Sequence, residues 1–364
     1  MPAILSVGID IGTSTTQVIF SRIVVDNTAG YFTAPRIAIV GKEIVYKSAV
    51  HFTPLATMSM LDGDAVREIV AGEFEKAGYR PSDVDTGAVI ITGESARKEN
   101  AALVLQKLSD FAGEFVVSTA GPDLESIIAG KGSGAFQYSI DNDCTVANLD
   151  IGGGTTNIVL FNSGDVVGKG CFDIGGRLIR LEDDFTVRSI SPAARLVAED
   201  VGLRLEAGQR TCREELERVT DRMAELLAQA IGLCPEEPLL RRVQTPKSDW
   251  LEKPRAISRL CFSGGVADCI YHEEAEDVLR FHDIGILLGQ SIRKNAHFRA
   301  SRVIDASETI RATVVGAGTY TTSLSGSTIT YSEGVFPLKN MPALKLSFRE
   351  QQACLDGDGE LLYE

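Results

Sequence analysis

The sequence predicts an α/β protein built from two similar half-domains, and three observations support this prediction. Short runs rich in β-branched residues alternate with amphipathic helical stretches, which is the pattern of α/β folds. One glycine-rich segment occurs twice, around positions 10 and 150. The glycines fall at the ends of predicted strands, which is where ligands bind in open α/β sheets.

The individual elements follow from local periodicity. Strands are predicted at 4–11, 17–25, 88–92, 145–151, 157–161, 257–262 and 313–315, and helices at 65–77, 101–111, 123–129 and 213–231. The last helix is the clearest, because Leu216, Val219 and Met223 recur at three- and four-residue steps between charged residues. The segment 233–254 holds four prolines and is predicted to be an irregular loop.

The internal repeat relates residues 9–19, which read IDIGTSTTQVI, to residues 149–159, which read LDIGGGTTNIV. Each copy is a strand, an aspartate, a turn of glycine and hydroxyl residues, and a second strand. Glycine lets successive backbone N–H groups approach an anion, and hydroxyl groups add donors, so we predict two phosphate-binding loops. Their predicted binding residues are Gly12, Thr13, Ser14 and Thr15 in the first loop and Gly152, Gly153, Gly154, Thr155 and Thr156 in the second.

An aspartate stands at the end of each first strand, namely Asp10 and Asp150. A carboxylate repels phosphate unless a cation lies between them, and Mg²⁺ binds through one or two carboxylates plus substrate phosphates. We therefore predict that both aspartates hold Mg²⁺ and act in catalysis, one of them orienting an attacking water. The alternative for either loop alone is a glycine-rich β-hairpin with a solvated aspartate. The matched pair favours the phosphate site.

A third element of small residues follows the apolar run 257–262 and consists of Ser263, Gly264, Gly265 and Val266. Glycines there allow a flat base or ribose to lie on the backbone, so these residues are predicted to bind that part of a nucleotide. A branched side chain at Gly264 is expected to weaken nucleotide binding more than it alters folding. The small residues at 315–318 are typical of a place where two helices pack closely.

Composition limits the class of partner and the compartment. The net charge of −14 argues against nonspecific nucleic-acid binding and against anionic membranes, which both favour basic surfaces. The seven cysteines are odd in number and have no C-x-x-C spacing, which indicates reduced thiols in a cytoplasmic protein. The histidines show no metal-ligand spacing.

The motifs resemble those of the superfamily that joins actin, sugar kinases and heat-shock chaperone ATPases. Residues 10–16 are similar to its first phosphate motif, 150–156 to its second, and 263–267 to its adenosine motif. The resemblance implies an actin-like ATPase fold that binds ATP and Mg²⁺ in a cleft between two half-domains. Residues 122–126 resemble the connecting helix, whose acidic residue lies near the metal in chaperone members, and this implies a catalytic role for Glu125.

Five segments together are similar to the ethanolamine ammonia-lyase reactivating factors: GIDIGTSTTQVIFS, ITGESARKENA, GPDLESIIAGKGSGA, ANLDIGGGTTNIVLF and FSGGVAD. The resemblance implies a chaperone with weak ATPase activity that releases damaged cobalamin from inactivated ethanolamine ammonia-lyase, so that adenosylcobalamin can rebind. It implies association with the ethanolamine microcompartment, and it does not decide whether the protein is a monomer or a homodimer.

The expected organisation has a first half-domain at 1–143, with part of 26–86 as an inserted subdomain, and a second at 144–322. A C-terminal extension is expected at 323–364, shorter than in the family. Two other functions on the same fold stay open, a small-molecule kinase of the sugar-kinase type and an actin-like filament ATPase, because a fold alone does not choose among functions.

Overall fold

The computed structural model of the chain describes residues 3–12, 15–27, 37–57, 60–92, 95, 99–112, 116–119, 121–246, 248, 256–272 and 277–320. The chain divides into Met1–Ser327 and Thr328–Glu364, and every described residue belongs to the first unit. The predicted loop residues Thr13 and Ser14 and the predicted extension 323–364 lie outside the described residues.

Two main sheets organise the described residues, the first in the strand order β3-β2-β1-β7-β8 with β4 paired to β2, the second in the order β11-β10-β9-β14. The strands are β1 (Ala3–Ile11), β2 (Thr15–Asn27), β3 (Ile37–Lys47), β4 (His51–Phe52), β5 (Leu55–Thr57), β6 (Met60–Leu61), β7 (Thr86–Ile91), β8 (Val116–Thr119), β9 (Thr145–Ile151), β10 (Thr156–Asn162), β11 (Asp165–Phe172), β12 (Ile179–Leu181), β13 (Val187–Ile190) and β14 (Arg259–Ser263). Two short ribbons, β5-β6 and β12-β13, complete the set.

Both main sheets follow the same plan. In the first, β1 and β2 form an antiparallel hairpin, and β7 lies parallel to β1 on its other side. In the second, β9 and β10 form the hairpin, and β14 lies parallel to β9. The register repeats as well, because Asp10 pairs with Gln17 and Asp150 pairs with Asn157. The prediction of an α/β fold with two similar halves is confirmed.

Each main sheet carries its own hydrophobic core, which explains the apolar character of its central strands. β9 is buried along its whole length, as expected of a strand covered on both faces. The first core includes the fully buried rings of Phe20 and Phe74, and the second includes those of Phe172 and Phe262. The two aspartate-bearing strands are thus each held rigidly from both sides.

The four predicted helices are confirmed, with ends displaced by at most three residues. The helices are α1 (Gly63–Ala77), α2 (Ala101–Ala112), α3 (Pro122–Gly132), α4 (Ala135–Asp141), α5 (Pro192–Asp200), α6 (Arg213–Ala230), α7 (Pro238–Arg242), α8 (Ala267–Tyr271), α9 (Gly285–Lys294), α10 (Ala296–Ala300) and α11 (Ala312–Tyr320). The apolar stripe of α6 is fully buried, as its periodicity predicts. The predicted irregular loop 233–254 is interrupted by α7, which begins at a proline because the first helical turn needs no N–H donor there.

One predicted strand is wrong, because residues 313–315 lie inside α11. Their β-branched side chains favour a strand locally, but α11 is packed against α3 and against strands of the first sheet. Gly132 and Gly316 lie at the crossing of α3 and α11, where an added Cβ would overlap the carbonyl groups of Ala312 and Ile128. The expectation that small residues at 315–318 allow close helix packing is confirmed. Within the described residues, no helix has both the length and the apolar character that crossing a membrane requires.

Candidate functional site

A cleft of about 440 Å³ is lined by residues from both main sheets and contains most of the predicted site. A volume of this size suits a small-molecule ligand. The predicted residues that line it are Asp10, Gly12, Thr15, Glu125, Asp150, Gly152, Gly153, Gly154, Thr155, Gly264, Gly265 and Val266. The fold therefore brings together two loops that are 140 residues apart in the chain, at positions 10 and 150.

Asp10 lies near the end of β1 and is buried. The hydroxyl of Thr92, which follows the parallel strand β7, donates a hydrogen bond of 3.0 Å to Asp10 Oδ1. Burial raises the pKa of Asp10 to about 7, the Thr92 hydrogen bond opposes this shift, and the Asp150 carboxylate adds to it. Asp10 is therefore a partly protonated acid at neutral pH unless a cation lies beside it.

Asp150 occupies the equivalent place on β9. The hydroxyl of Ser263, at the end of the parallel strand β14, donates a hydrogen bond of 2.6 Å to Asp150 Oδ1. Asn148 Nδ2 in turn donates to Ser263 Oγ at 3.1 Å, so a chain of side chains orients the carboxylate. Burial raises the pKa of Asp150 to about 6. Each sheet thus supplies one buried carboxylate and one hydroxyl from the neighbouring parallel strand.

The two loops close with the same backbone hydrogen bond. The N–H of Gly12 donates to the carbonyl of Thr15, and the N–H of Gly152 donates to the carbonyl of Thr155, both at 2.9 Å. Thr155 and Thr15 line the cleft. Thr156 does not, because its buried hydroxyl donates to the carbonyl of Ile174 at 2.7 Å.

Gln17 and Asn157 line the cleft beside the aspartates, and the predicted site did not include them. They pair across their hairpins with Asp10 and Asp150. Both are about 2% exposed, and the amide oxygen of each lacks a hydrogen-bond partner among the described residues. A buried unpaired amide oxygen is costly unless water or a ligand donates to it. The repeat itself holds the signal, since both residues follow their aspartate by seven positions.

Glu125 reaches the cleft from α3 and is buried. Gly265 and Val266 also line the cleft. Ser263 is not among the lining residues, and its hydroxyl donates to Asp150. Gly264 has a left-handed backbone with φ of 86°, and an added Cβ would overlap the backbone of Ile151. A branched side chain at Gly264 would therefore disturb the fold itself, contrary to the expectation that it weakens nucleotide binding more than it alters folding.

Arg177 and Asp283 are charged residues of the cleft that the sequence analysis did not predict to be there. Arg177 Nε lies 3.4 Å from Asp283 Oδ2, and both residues line the cleft. Burial raises the pKa of Asp283 to about 6, while the N–H of Gly285, which donates to Asp283 Oδ1 at 2.9 Å, opposes the shift. The guanidinium of Arg177 also lies 5.8 Å from the ring centroid of Phe52, which belongs to β4 of the first sheet. Arg177 therefore contacts both sides of the cleft.

Comparisons with known proteins agree with the resemblance in the motifs. A sequence profile of the family described as "Ethanolamine utilisation protein EutA" matches residues 2–357. "Ethanolamine ammonia-lyase reactivase EutA" of Escherichia coli (strain K12) is 42% identical over 343 residues, which cover 93% of this chain and 72% of that protein. The protein of the same name from Salmonella typhimurium is 40% identical over 344 residues, with the same coverage of both chains.

Solved structures give a more distant comparison. The Aquifex aeolicus PPX-GPPA enzyme aligns over 86% of this chain and 99% of its own, with 14% sequence identity and a TM-score of 0.49. Ethanolamine utilization protein EutJ from Carboxydothermus hydrogenoformans aligns over 87% of this chain and 89% of its own, with 16% identity and a TM-score of 0.40. The family follows from the sequence matches: this chain belongs to the EutA family of ethanolamine utilisation proteins.

Proposed function

We propose that this chain is an ATP-dependent chaperone that reactivates ethanolamine ammonia-lyase by releasing damaged cobalamin, so that adenosylcobalamin can rebind. The observation that carries the proposal is the meeting of two equivalent aspartate loops in one cleft of a chain from the EutA family. The lyase enters as the partner because two relatives are named as reactivases of that enzyme.

The residues of the cleft fit Mg²⁺ and a nucleotide. Asp10 and Asp150 are buried carboxylates with raised pKa values, and a divalent cation beside them would stabilise their ionised forms. The unpaired amide oxygens of Gln17 and Asn157 suit hydrogen bonds from metal-bound water. The closed turns at Gly12 and Gly152 are suited to cradle phosphate oxygens with backbone N–H groups.

The residues that line the cleft then have distinct roles in the binding of ATP and the hydrolysis of its terminal phosphate. Mg²⁺ neutralises phosphate charge when it is bound. Asp10 and Asp150 would hold the cation, and one of the two carboxylates would orient the water that attacks the γ-phosphorus as the phosphorus–oxygen bond to ADP breaks. Glu125 acts from α3 on the same water network. Gly265 and Val266 receive the base or ribose.

Binding of the base at Gly265 is tested with a substitution that leaves the backbone intact. An added Cβ at Gly265 meets nothing within 4 Å, in contrast to Gly264. Gly265→Val should therefore fold normally and weaken ATP binding at least roughly tenfold, a loss of about 1.4 kcal/mol. Gly72→Val, also in open space but on α1, is the control. Unchanged ATP affinity in calorimetry would contradict the assignment of this segment to the nucleotide.

The nucleotide is proposed to act as a switch between two arrangements of the sheets. A γ-phosphate held by both loops would join them, and its loss would let them separate. A partner that prefers one arrangement would then be bound in one nucleotide state and released in the other. Arg177 lies beside Asp283 and 5.8 Å from the ring centroid of Phe52 on β4, so it contacts both sides. This contact would be remade in such a motion.

The function is tested by reactivation of lyase blocked with cyanocobalamin, in the presence of ATP, Mg²⁺ and free adenosylcobalamin. We expect recovery of activity with ATP and none with ADP, and lyase affinities that differ between ADP, ATP and a non-hydrolysable analogue. Recovery that does not depend on nucleotide would refute the ATP-driven mechanism. ADP release that depends on a small-molecule acceptor would favour a kinase, and light scattering that rises with ATP would favour a filament.

A further inference from the structure

A cluster of three potential metal ligands lies outside the cleft, formed by Glu225, Cys234 and His297. Glu225 is on α6, Cys234 follows that helix after four residues, and His297 is on α10. One ligand atom from each residue lies within 4.8 Å of the other two, and all three residues are partly exposed. None of them lines the cleft. A ligand could therefore reach this cluster from solvent without passing the nucleotide site.

The spacing of the atoms is close to that of a tetrahedral zinc site. Glu225 Oε1 lies 3.4 Å from Cys234 Sγ and 3.6 Å from His297 Nε2. With zinc–ligand bonds of about 2.3 Å to sulfur and about 2.1 Å to nitrogen and oxygen, tetrahedral angles give separations of about 3.6 Å and about 3.4 Å. The two measured separations therefore match within about 0.2 Å. The ligand atoms of the remaining pair, Cys234 and His297, lie within 4.8 Å of each other.

The ligand set also has a supporting residue. Asn295 Nδ2 donates to Glu225 Oε2 at 3.1 Å, which leaves Oε1 directed at the thiol and the imidazole. Asn295 Oδ1 accepts from the backbone N–H of His297 at 2.9 Å and so caps the start of α10, the helix that carries His297. The hydrogen bond to the Glu225 carboxylate is of a kind typical of metal sites, where it fixes the orientation of a ligand.

We propose that Glu225, Cys234 and His297 bind a divalent transition metal of the zinc class, with a water molecule as the fourth ligand. Thiolate, imidazole and carboxylate are the groups that zinc takes in proteins. The bound metal would connect the end of α6 to α10, which lie 72 residues apart in the chain as measured from Glu225 to His297. The Cys234 thiol donates a hydrogen bond to Glu225 Oε1, so the two groups already face each other.

The proposal is tested with Co²⁺ as a spectroscopic probe on the 364-residue chain stripped of metal. We expect one equivalent of Co²⁺ to give an intense thiolate-to-cobalt absorption and tetrahedral visible bands, and Zn²⁺ to displace it. Cys234→Ser should abolish the thiolate band, and His297→Gln and Glu225→Gln should weaken binding at least roughly tenfold. Zn²⁺ should raise the melting temperature of the unmodified chain and leave that of Cys234→Ser unchanged.

Matched controls separate this site from other thiols and carboxylates. Cys212→Ser replaces an exposed free cysteine before α6, and Glu217→Gln replaces a carboxylate about two turns earlier on the same helix. Both controls should bind Co²⁺ as the unmodified chain does. Binding without a thiolate band would indicate the aspartates of the cleft instead, and a band that survives Cys234→Ser would indicate another thiol. Either result, or the absence of binding, would overturn the proposal.

Discussion

The two aspartate hairpins have the same strands, the same register and the same closing hydrogen bond, but they are supported differently. The carbonyl of Gly12 in the first loop accepts hydrogen bonds from the hydroxyls of Thr53 and Ser95. In the second loop, the carbonyls of Gly152 and Gly153 accept from backbone N–H groups of residues 176 and 177. Side chains therefore hold the first loop, whereas the backbone holds the second. Substitution can weaken the first support directly but not the second.

The two carboxylates lie in similar environments, and the pKa of each is raised. Asp10 has its pKa raised to about 7, and Asp150 has its pKa raised to about 6. Burial is the main cause for both, and each accepts one hydroxyl hydrogen bond that opposes the shift. Asp10 carries the additional effect of the Asp150 charge. Ionisation of both aspartates is thus expected to depend on a bound cation.

The largest expected effect comes from removing either charge. Asp10→Asn and Asp150→Asn should each reduce Mg²⁺-dependent ATP hydrolysis by on the order of 10²-fold or more, because each removes a fixed group that stabilises charge in the transition state. Steady-state phosphate release measures this, with circular dichroism as the control for folding. If one variant keeps full activity, the two hairpins are not equivalent in function, and full activity in both would exclude the two-carboxylate site.

A second expected effect is a loss of Mg²⁺–ATP affinity in acid. Below its pKa each aspartate is protonated and loses the charge that holds the cation, so affinity falls as the pH decreases. With the pKa of Asp10 at about 7, only about one tenth of this group is ionised at pH 6, which predicts roughly tenfold weaker binding than at pH 8. Calorimetry at both pH values measures it. In Asp10→Asn the remaining dependence should be smaller and centred near pH 6, and a pH-independent affinity would contradict the assignment.

The amide side chains of Gln17 and Asn157 allow a further comparison of the two hairpins. Gln17→Ala and Asn157→Ala should each lower the rate of hydrolysis roughly tenfold while ATP affinity changes little, because their amide oxygens are proposed to hold water rather than phosphate. Single-turnover rates alongside calorimetric affinities separate the two effects. A loss of affinity without a loss of rate would place these residues on the nucleotide instead.

A smaller effect is expected from the support of the first loop. Thr53→Val removes a hydroxyl that donates to the carbonyl of Gly12 at 2.8 Å. The loss of one such hydrogen bond, about 1 kcal/mol, should weaken nucleotide binding roughly fivefold through the first loop. Thr156→Val is the matched change in the second hairpin, where the hydroxyl donates outside the turn. It should affect stability more than affinity, and equal losses of affinity would remove the distinction between the loops.

The smallest expected effect is on the stability of the nucleotide-free chain. Because folding raises the pKa of both aspartates above their ordinary value of about 3.9, the folded state holds more protons than the unfolded state between about pH 4 and 7. Their contribution to the free energy of unfolding therefore falls as the pH rises through that window. Asp10→Asn should raise the melting temperature by a few degrees at pH 8, more than Asp150→Asn, and by less at pH 5. A lower melting temperature at pH 8 in thermal unfolding would show that the ionised carboxylates are stabilised in the fold.

The features that sequence reasoning missed share one cause, which is contact between distant segments. Strand pairing places Thr92 and Gln17 beside Asp10, and Asn157 beside Asp150. Of these three residues, only Gln17 and Asn157 are marked in the sequence, by their equal positions in the repeat. The metal-ligand cluster brings Glu225 and Cys234 to His297, so its spacing along the chain follows no local pattern. Local periodicity describes one element at a time and contains no information on which elements meet.

The sequence by itself determined the α/β class, the two equivalent aspartate hairpins and the four predicted helices. Glycine turns, repeated motifs and the apolar face of a helix each depend on residues that are close together in the chain. Only the tertiary structure decided that residues 313–315 belong to a helix, since close contact between Gly132 of α3 and the backbone of α11 outweighs the strand preference of β-branched residues. It likewise decided that Ser263 faces Asp150 and that Arg177 meets Asp283. Burial and pairing across the chain set these positions, and both are properties of the packed molecule.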